Sequence, residues 1–95
     1  MKYGDNNKVV DAILFTGMNE DDIISFCNKD SEIATPIYYP WDEFKLDIRR
    51  FATKYIEIKQ PTRVGKLRAN QYIVIDNNVY SIWSKELFEQ TFKPI

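Results

Sequence analysis

Apolar and polar positions follow a strand rhythm most clearly from Tyr72 to Trp83, Tyr-Ile-Val-Ile-Asp-Asn-Asn-Val-Tyr-Ser-Ile-Trp. Asparagine tolerates the positive φ that a tight primed turn needs, so Asn77-Asn78 predicts a two-residue hairpin loop. That loop fixes the register: Asp76 opposite Val79, Ile75 opposite Tyr80, Ile73 opposite Ile82, and Tyr72 opposite Trp83. One face is then Ile73, Ile75, Tyr80 and Ile82, wholly apolar. The other is Tyr72, Val74, Asp76, Val79, Ser81 and Trp83, more aromatic than a solvent face needs.

Upstream, Val9 to Thr16 is β-branched and aromatic with little polar interruption, which predicts a largely buried strand ended by Gly17. Asn19 suits an N-cap, and Glu20, Asp21 and Asp22 occupy a first turn where the helix dipole favours acids. Three successive acids also suit a metal, but they do not share one face and no partner ligands are spaced for them. Ile23, Ile24, Phe26 and Cys27 form the apolar stripe of a short helix ending near Asn28, with Cys27 as a core filler. Lys29 to Thr35 reads as polar loop. Trp41, Phe44, Ile48, Phe51 and Tyr55 recur at helical spacing behind Pro40, with acids before and arginines after, so a second helix is expected there. Phe44, Leu46 and Ile48 also alternate as a strand would.

Lys54 to Lys59 alternates, with Ile56 and Ile58 inward. Pro61-Thr62 turns the chain into a strand from Val64 to Arg68, with Gly65 a candidate kink. Ala69-Asn70 leads into the Tyr72–Trp83 hairpin. Ser84 caps a last helix, Lys85 to Thr91, with Trp83 and Phe88 as a hydrophobic staple, Leu87, Phe88 and Phe92 packing it down, and Pro94 as its stop. The expected fold class is α+β: a single domain with a small antiparallel sheet built on hairpins and two or three short helices on one side.

Ninety-five residues can bury one core. No apolar run approaches the roughly 20 residues of a membrane span, and the stretch from Met1 to Asp5 has no apolar core behind it to make a signal peptide. One cysteine and no disulfide partner fit a reducing cytoplasm. There is no histidine, which removes Ser-His-Asp and Cys-His catalysis and zinc sites of the Cys/His kinds. No catalytic, metal or cofactor signature is found, and no cofactor is expected.

Charge is uneven. Residues 1–48 carry four lysines and ten acids (−6), and residues 49–95 carry nine cations and four acids (+5). Such halves attract each other across the fold or between copies, or the basic half holds an anion.

Val10, Ala12, Ile13, Phe15, Thr16, Gly17 and Asn19, with Tyr72, Ile73, Val74, Tyr80, Phe88, Glu89, Thr91 and Phe92, form a layout that resembles a family of small, mostly uncharacterised proteins of phages and prophages. The likeness covers both ends, about two-thirds of the chain, and leaves Ser31 to Thr53 unaccounted for. Ala69-Asn70-Gln71 stands where the family has a Pro-Gly-Asp-like turn, and Asn77-Asn78 replaces a glycine-containing one. The resemblance implies fold and phage origin, hence action in the cytoplasm of a bacterial host, and implies no catalytic residue.

Three functions follow as expectations. The first is a non-enzymatic phage protein that inhibits a bacterial host or immune protein stoichiometrically, for example a CRISPR nuclease. Its partner-binding anchors would be Tyr38, Tyr39 and Trp41, because aromatics bury much area at little rotamer cost. The second is a sponge for a nucleotide immune signal, with Arg63, Lys66 and Arg68 on the phosphates and Tyr72 and Trp83 against the base. The same basic strand alternatively just protects a sheet edge. The third is a nucleic-acid-binding regulator, which the acidic first half and the lack of a recognition helix disfavour. An enzyme ranks last. An exposed edge beside the Lys59–Arg68 hairpin would also let two copies join as a homodimer.

Overall fold

The structure is a computed structural model that describes residues 1–5, 7–29, 32–38 and 53–95, with residues 38, 53 and 54 described by backbone alone. In chain order the elements are β1 (Lys2–Gly4), β2 (Val9–Phe15), α1 (Glu20–Cys27), β3 (Ala34–Tyr38), β4 (Thr53–Gln60), β5 (Arg63–Leu67), β6 (Gln71–Asp76), β7 (Val79–Ser84), α2 (Lys85–Thr91) and β8 (Lys93–Pro94). They form two antiparallel sheets, one of five strands ordered β7-β6-β2-β1-β8 and one of three ordered β3-β4-β5. The fold is α+β with a small helical part.

The β6–β7 hairpin has the register that its two-residue loop dictates, from Gln71 opposite Ser84 to Asp76 opposite Val79. Asn77 and Asn78 have φ of 52° and 65°, the pair of positive values that defines a type I′ turn. β6 also pairs with β2, placing Ile73 beside Ile13 and Tyr72 beside Leu14. Both faces of this central pair are covered, which is why β2 carries so few polar residues.

On one face, Phe15 and Ile73 pack with Ile23 and Cys27 of α1 and with Ala34, Ile56, Ile58 and Leu67 of the three-stranded sheet. On the other, Val10, Ala12, Tyr72 and Val74 pack with Tyr3, Phe88 and Phe92. Full burial of each large apolar side chain here contributes about 1.5–3 kcal/mol. α2 is fixed as its sequence predicts: the Ser84 hydroxyl accepts from the Leu87 amide at 3.2 Å. The Trp83 and Phe88 rings meet edge to face at 6.1 Å, closing the staple.

Several expectations are corrected. The helices lie on opposite faces of the five-stranded sheet, because its second face is apolar enough to need a cover of its own. Lys29 to Thr35 is not all loop, since Ala34 and Thr35 open β3 opposite Ile58 and Glu57. Tyr55 belongs to β4, not to a helix: it pairs with Ile37, and the ladder outweighs its place in the helical stripe. The rest of that expected helix, from Trp41 through Phe51, lies outside the described residues. Gly65 causes no kink, as it pairs regularly with Ile58. Leu87 is exposed, so Phe88 and Phe92 hold α2 without it. Pro94 does not stop α2, which has already ended at Thr91; it pairs with Tyr3 in β8.

Asn19 occupies the N-cap position of α1 but makes no capping bond with its side chain. Its Oδ1 accepts from the Thr16 amide at 2.8 Å and its Nδ2 donates to the Leu14 carbonyl at 2.9 Å, clasping the end of β2 to the start of α1. No helix among the described residues is long and apolar enough to cross a membrane.

Candidate functional site

The three-stranded sheet turns Ala34, Ile56, Ile58 and Leu67 inward. Strand alternation therefore sends Thr35, Ile37, Tyr55, Glu57, Lys59, Val64 and Lys66 to the outer face. There the Lys66 ammonium lies 5.0 Å from the centroid of the half-buried Tyr55 ring, and the Arg68 guanidinium lies 5.6 Å from it. The ring's negative face draws each cation by about 0.5–1 kcal/mol at an exposed site. Tyr55 thus gathers two cations on open surface, and neither is ion-paired among the described residues.

The five residues expected to make one anion site do not come together. Lys66 and Arg68 do, on Tyr55. Arg63 points instead to the five-stranded sheet, where its Nη2 donates to the Tyr80 carbonyl at 3.1 Å. Tyr72 is only 4% exposed, stacked on Phe88 at 4.1 Å, so its ring is not open to a base. Trp83 packs edge to face on Phe88 and Phe92 under α2. Both are removed from the basic strand by the thickness of the central sheet. Of the expected partner anchors, Tyr38 has its backbone at the end of β3, beside a register shift after Ile37. Tyr39 and Trp41 lie outside the described residues.

The residue missing from the expected site is Tyr55. Its signal was present: the Lys54–Lys59 alternation that puts Ile56 and Ile58 inward puts Tyr55 outward.

No protein-family model matches the chain, and neither does any curated protein or solved structure.

The sheet edges complete that geometry. Three side-chain amides take the place of missing neighbour strands. Asn28 accepts from the Ile33 and Ala34 amides and donates to the Ala34 carbonyl, each at 2.8 Å, covering β3. Pro36, next on that edge, has no N–H to offer. Gln60 does the same for β7, accepting from the Tyr80 amide at 3.1 Å and donating to its carbonyl at 3.0 Å. Gln71 accepts from the Arg68 amide at 2.7 Å just past β5.

Burial pushes the Cys27 thiol up to about 12, so it stays protonated and inert at neutral pH. Among the described residues no group of three His, Cys, Asp or Glu side chains is placed to hold a metal ion.

Proposed function

We propose that this chain is a non-enzymatic binding protein of phage origin. It acts in the bacterial cytoplasm as a stoichiometric inhibitor of a host or immune protein, for example a CRISPR nuclease. The observation that carries the binding role is the cationic outer face of the three-stranded sheet. Among the described residues neither Lys66 nor Arg68, both held on Tyr55, is ion-paired, and the sheet that carries them packs Ala34, Ile56, Ile58 and Leu67 into the core. A rigid scaffold whose outer face sets Lys59, Lys66 and Arg68 against the single acid Glu57 is suited to an acidic surface, and attraction of this kind speeds and selects encounter. The phage setting rests on the family resemblance alone.

The test is phage plating on immune-competent bacteria that express the chain. Restored plaquing, lost with Lys66→Glu/Arg68→Glu, together with a host protein co-purifying in equal amount, supports the reading. Unchanged plaquing across a panel of immune systems, with no host protein retained, rejects it.

A nucleotide sponge is the second reading, favoured by the same cluster, because Tyr55 with Lys66 and Arg68 supplies a ring and two phosphate donors. Calorimetry with cyclic and ADP-ribose-derived nucleotides separates the two. Heat that disappears in Arg68→Ala supports the sponge; none with any of them removes it.

A further inference from the structure

We infer that β5 is a docking edge that takes up an acidic, extended segment of the partner as an added strand. This names the partner's chemistry within the binding role proposed above and rests on that role.

The inference starts from ladder geometry. Gln60 and Arg63 flank the two-residue loop Pro61-Thr62 and form its closing pair. Antiparallel pairs alternate between bonded and non-bonded, so Ile58–Gly65 is bonded while Lys59–Val64 and Glu57–Lys66 are not. The Lys59 amide confirms the phase, donating away from β5 to the Ile33 carbonyl at 2.8 Å. The N–H and C=O groups of Val64 and Lys66 therefore point outward from the sheet. Among the described residues they take no hydrogen bond. β3 is guarded by Asn28 and Pro36, and β7 is guarded at Tyr80 by Gln60 and Arg63 but left open at Ile82. β8 is only two residues long. Among the described residues β5 joins two successive open residues, Val64 and Lys66, to a run of cations, and Val64 is 57% exposed.

Charge decides the occupant. Arg63, Lys66 and Arg68 put three cations on or beside this strand with no acid among them. A second copy pairing antiparallel here would set those cations against their own kind, and like charges on neighbouring strands are destabilising. An acidic strand reverses that sign. Shape adds an apolar requirement. Between the edges of β5 and β7 lies a cleft of about 250 Å³, with Ile58, Gly65, Tyr80 and Ile82 among its walls. At one wall Ile82 packs directly on the Gly65 backbone, where a Cβ would stand 2.9 Å from Ile82 Cδ1. A strand added to β5 turns alternate side chains towards this cleft and towards Lys66 and Arg68. The matching segment alternates apolar and acidic residues, with main-chain bonds supplying affinity and pockets supplying selectivity.

The test uses the full ¹⁵N-labelled chain and a short capped peptide alternating glutamate and valine. The Val64 and Lys66 amides should shift and become protected from exchange on titration. Lys66→Glu/Arg68→Glu should weaken binding by about tenfold or more. A lysine-for-glutamate peptide should not bind, nor should the acidic peptide with alternate amides N-methylated, which tests the wild-type chain without any variant. The inference is overturned by silence at Val64 and Lys66, by protection of those amides before peptide is added, by binding of the N-methylated or lysine peptide, or by sedimentation showing at low salt a dimer paired through β5. The assay contains no host component. Peptide binding without restored plaquing would therefore reject the inhibitor role and leave the docking edge standing.

Discussion

Tyr72 shows how one side chain serves two packing demands. Its ring stacks on Phe88 and meets Tyr3 edge to face at 5.9 Å, while its hydroxyl emerges beside α2 and donates to Glu89 at 2.8 Å. Burial, and then the bond to Glu89, hold the phenol well above its ordinary value. The same bond, reinforced by Lys85, holds the Glu89 carboxylate below its ordinary value. The signs differ at the two ends of the pH scale. For Tyr72 the raised value favours the folded state below pH about 10, and that contribution is lost as pH climbs towards the folded value. For Glu89 the lowered value contributes above pH about 4.5, and the contribution is lost as pH falls through the depressed value. Tyr72→Phe should therefore cost about 1 kcal/mol near neutral pH, since the bond it removes is partly exposed to solvent. It should also flatten the alkaline fall in stability and return Glu89 towards ordinary titration. Chemical denaturation across pH measures the first two and carboxylate NMR the third; an alkaline limb unchanged by the substitution would show that Tyr72 does not set it.

The element that organises the chain is the β6–β7 hairpin, and its register was legible because a two-residue asparagine loop leaves the strands one way to pair. The same reasoning gives a direct test. Asn78→Ala places a Cβ-bearing residue without asparagine's local hydrogen bonding at φ of 65°. It should cost about 1 kcal/mol, while Asn78→Gly should cost little or nothing. Equal thermal midpoints for the two variants would mean that the turn does not contribute in this way. α2 was legible for a similar reason, since Ser84, Trp83 and Phe88 are local signals at fixed offsets. What could not be read is what depends on distant partners. β1 and β8 are short, and no local pattern reveals that Tyr3 pairs with both Val10 and Pro94. β3 was hidden because its edge is satisfied by a side chain, Asn28, rather than by a strand. Tyr55 carried two rhythms, helical with Phe51 and alternating with Ile56, and only the β3–β4–β5 ladder chooses between them. The candidate site suffered most. Tyr72 and Trp83 are near Arg68 in sequence, yet the central sheet separates them, since faces rather than sequence distance determine which residues share a surface.

For the whole molecule, the decisive feature is how charge is distributed over the edges. Among the described residues the acidic first half and basic second half are not joined by a set of complementary ion pairs. Among the described residues one pair crosses between them, Lys8 with Asp76 at 2.6 Å, and it runs against the overall signs. The cations of β5 are thus left facing solvent, where they repel another copy of the same strand and attract an acidic one. Two consequences of one cause can be separated by experiment. If Lys66 and Arg68 keep the open edge of β5 from pairing with itself, their removal should expose the backbone's own tendency to add strands. Lys66→Thr/Arg68→Thr, which keeps β-propensity and removes charge, should self-associate with rising concentration while the parent chain sediments as an 11.3 kDa monomer. Salt should push the parent the same way, because exposed charges more than about 8–10 Å apart are screened near physiological ionic strength. Sedimentation velocity over a range of protein and salt concentrations reads both effects. Val64→Pro in the threonine background then removes an outward N–H from the edge and should restore the monomer, assigning the association to β5. Association that persists with this proline, or a variant that stays monomeric at every concentration, would mean that something other than charge guards the edge.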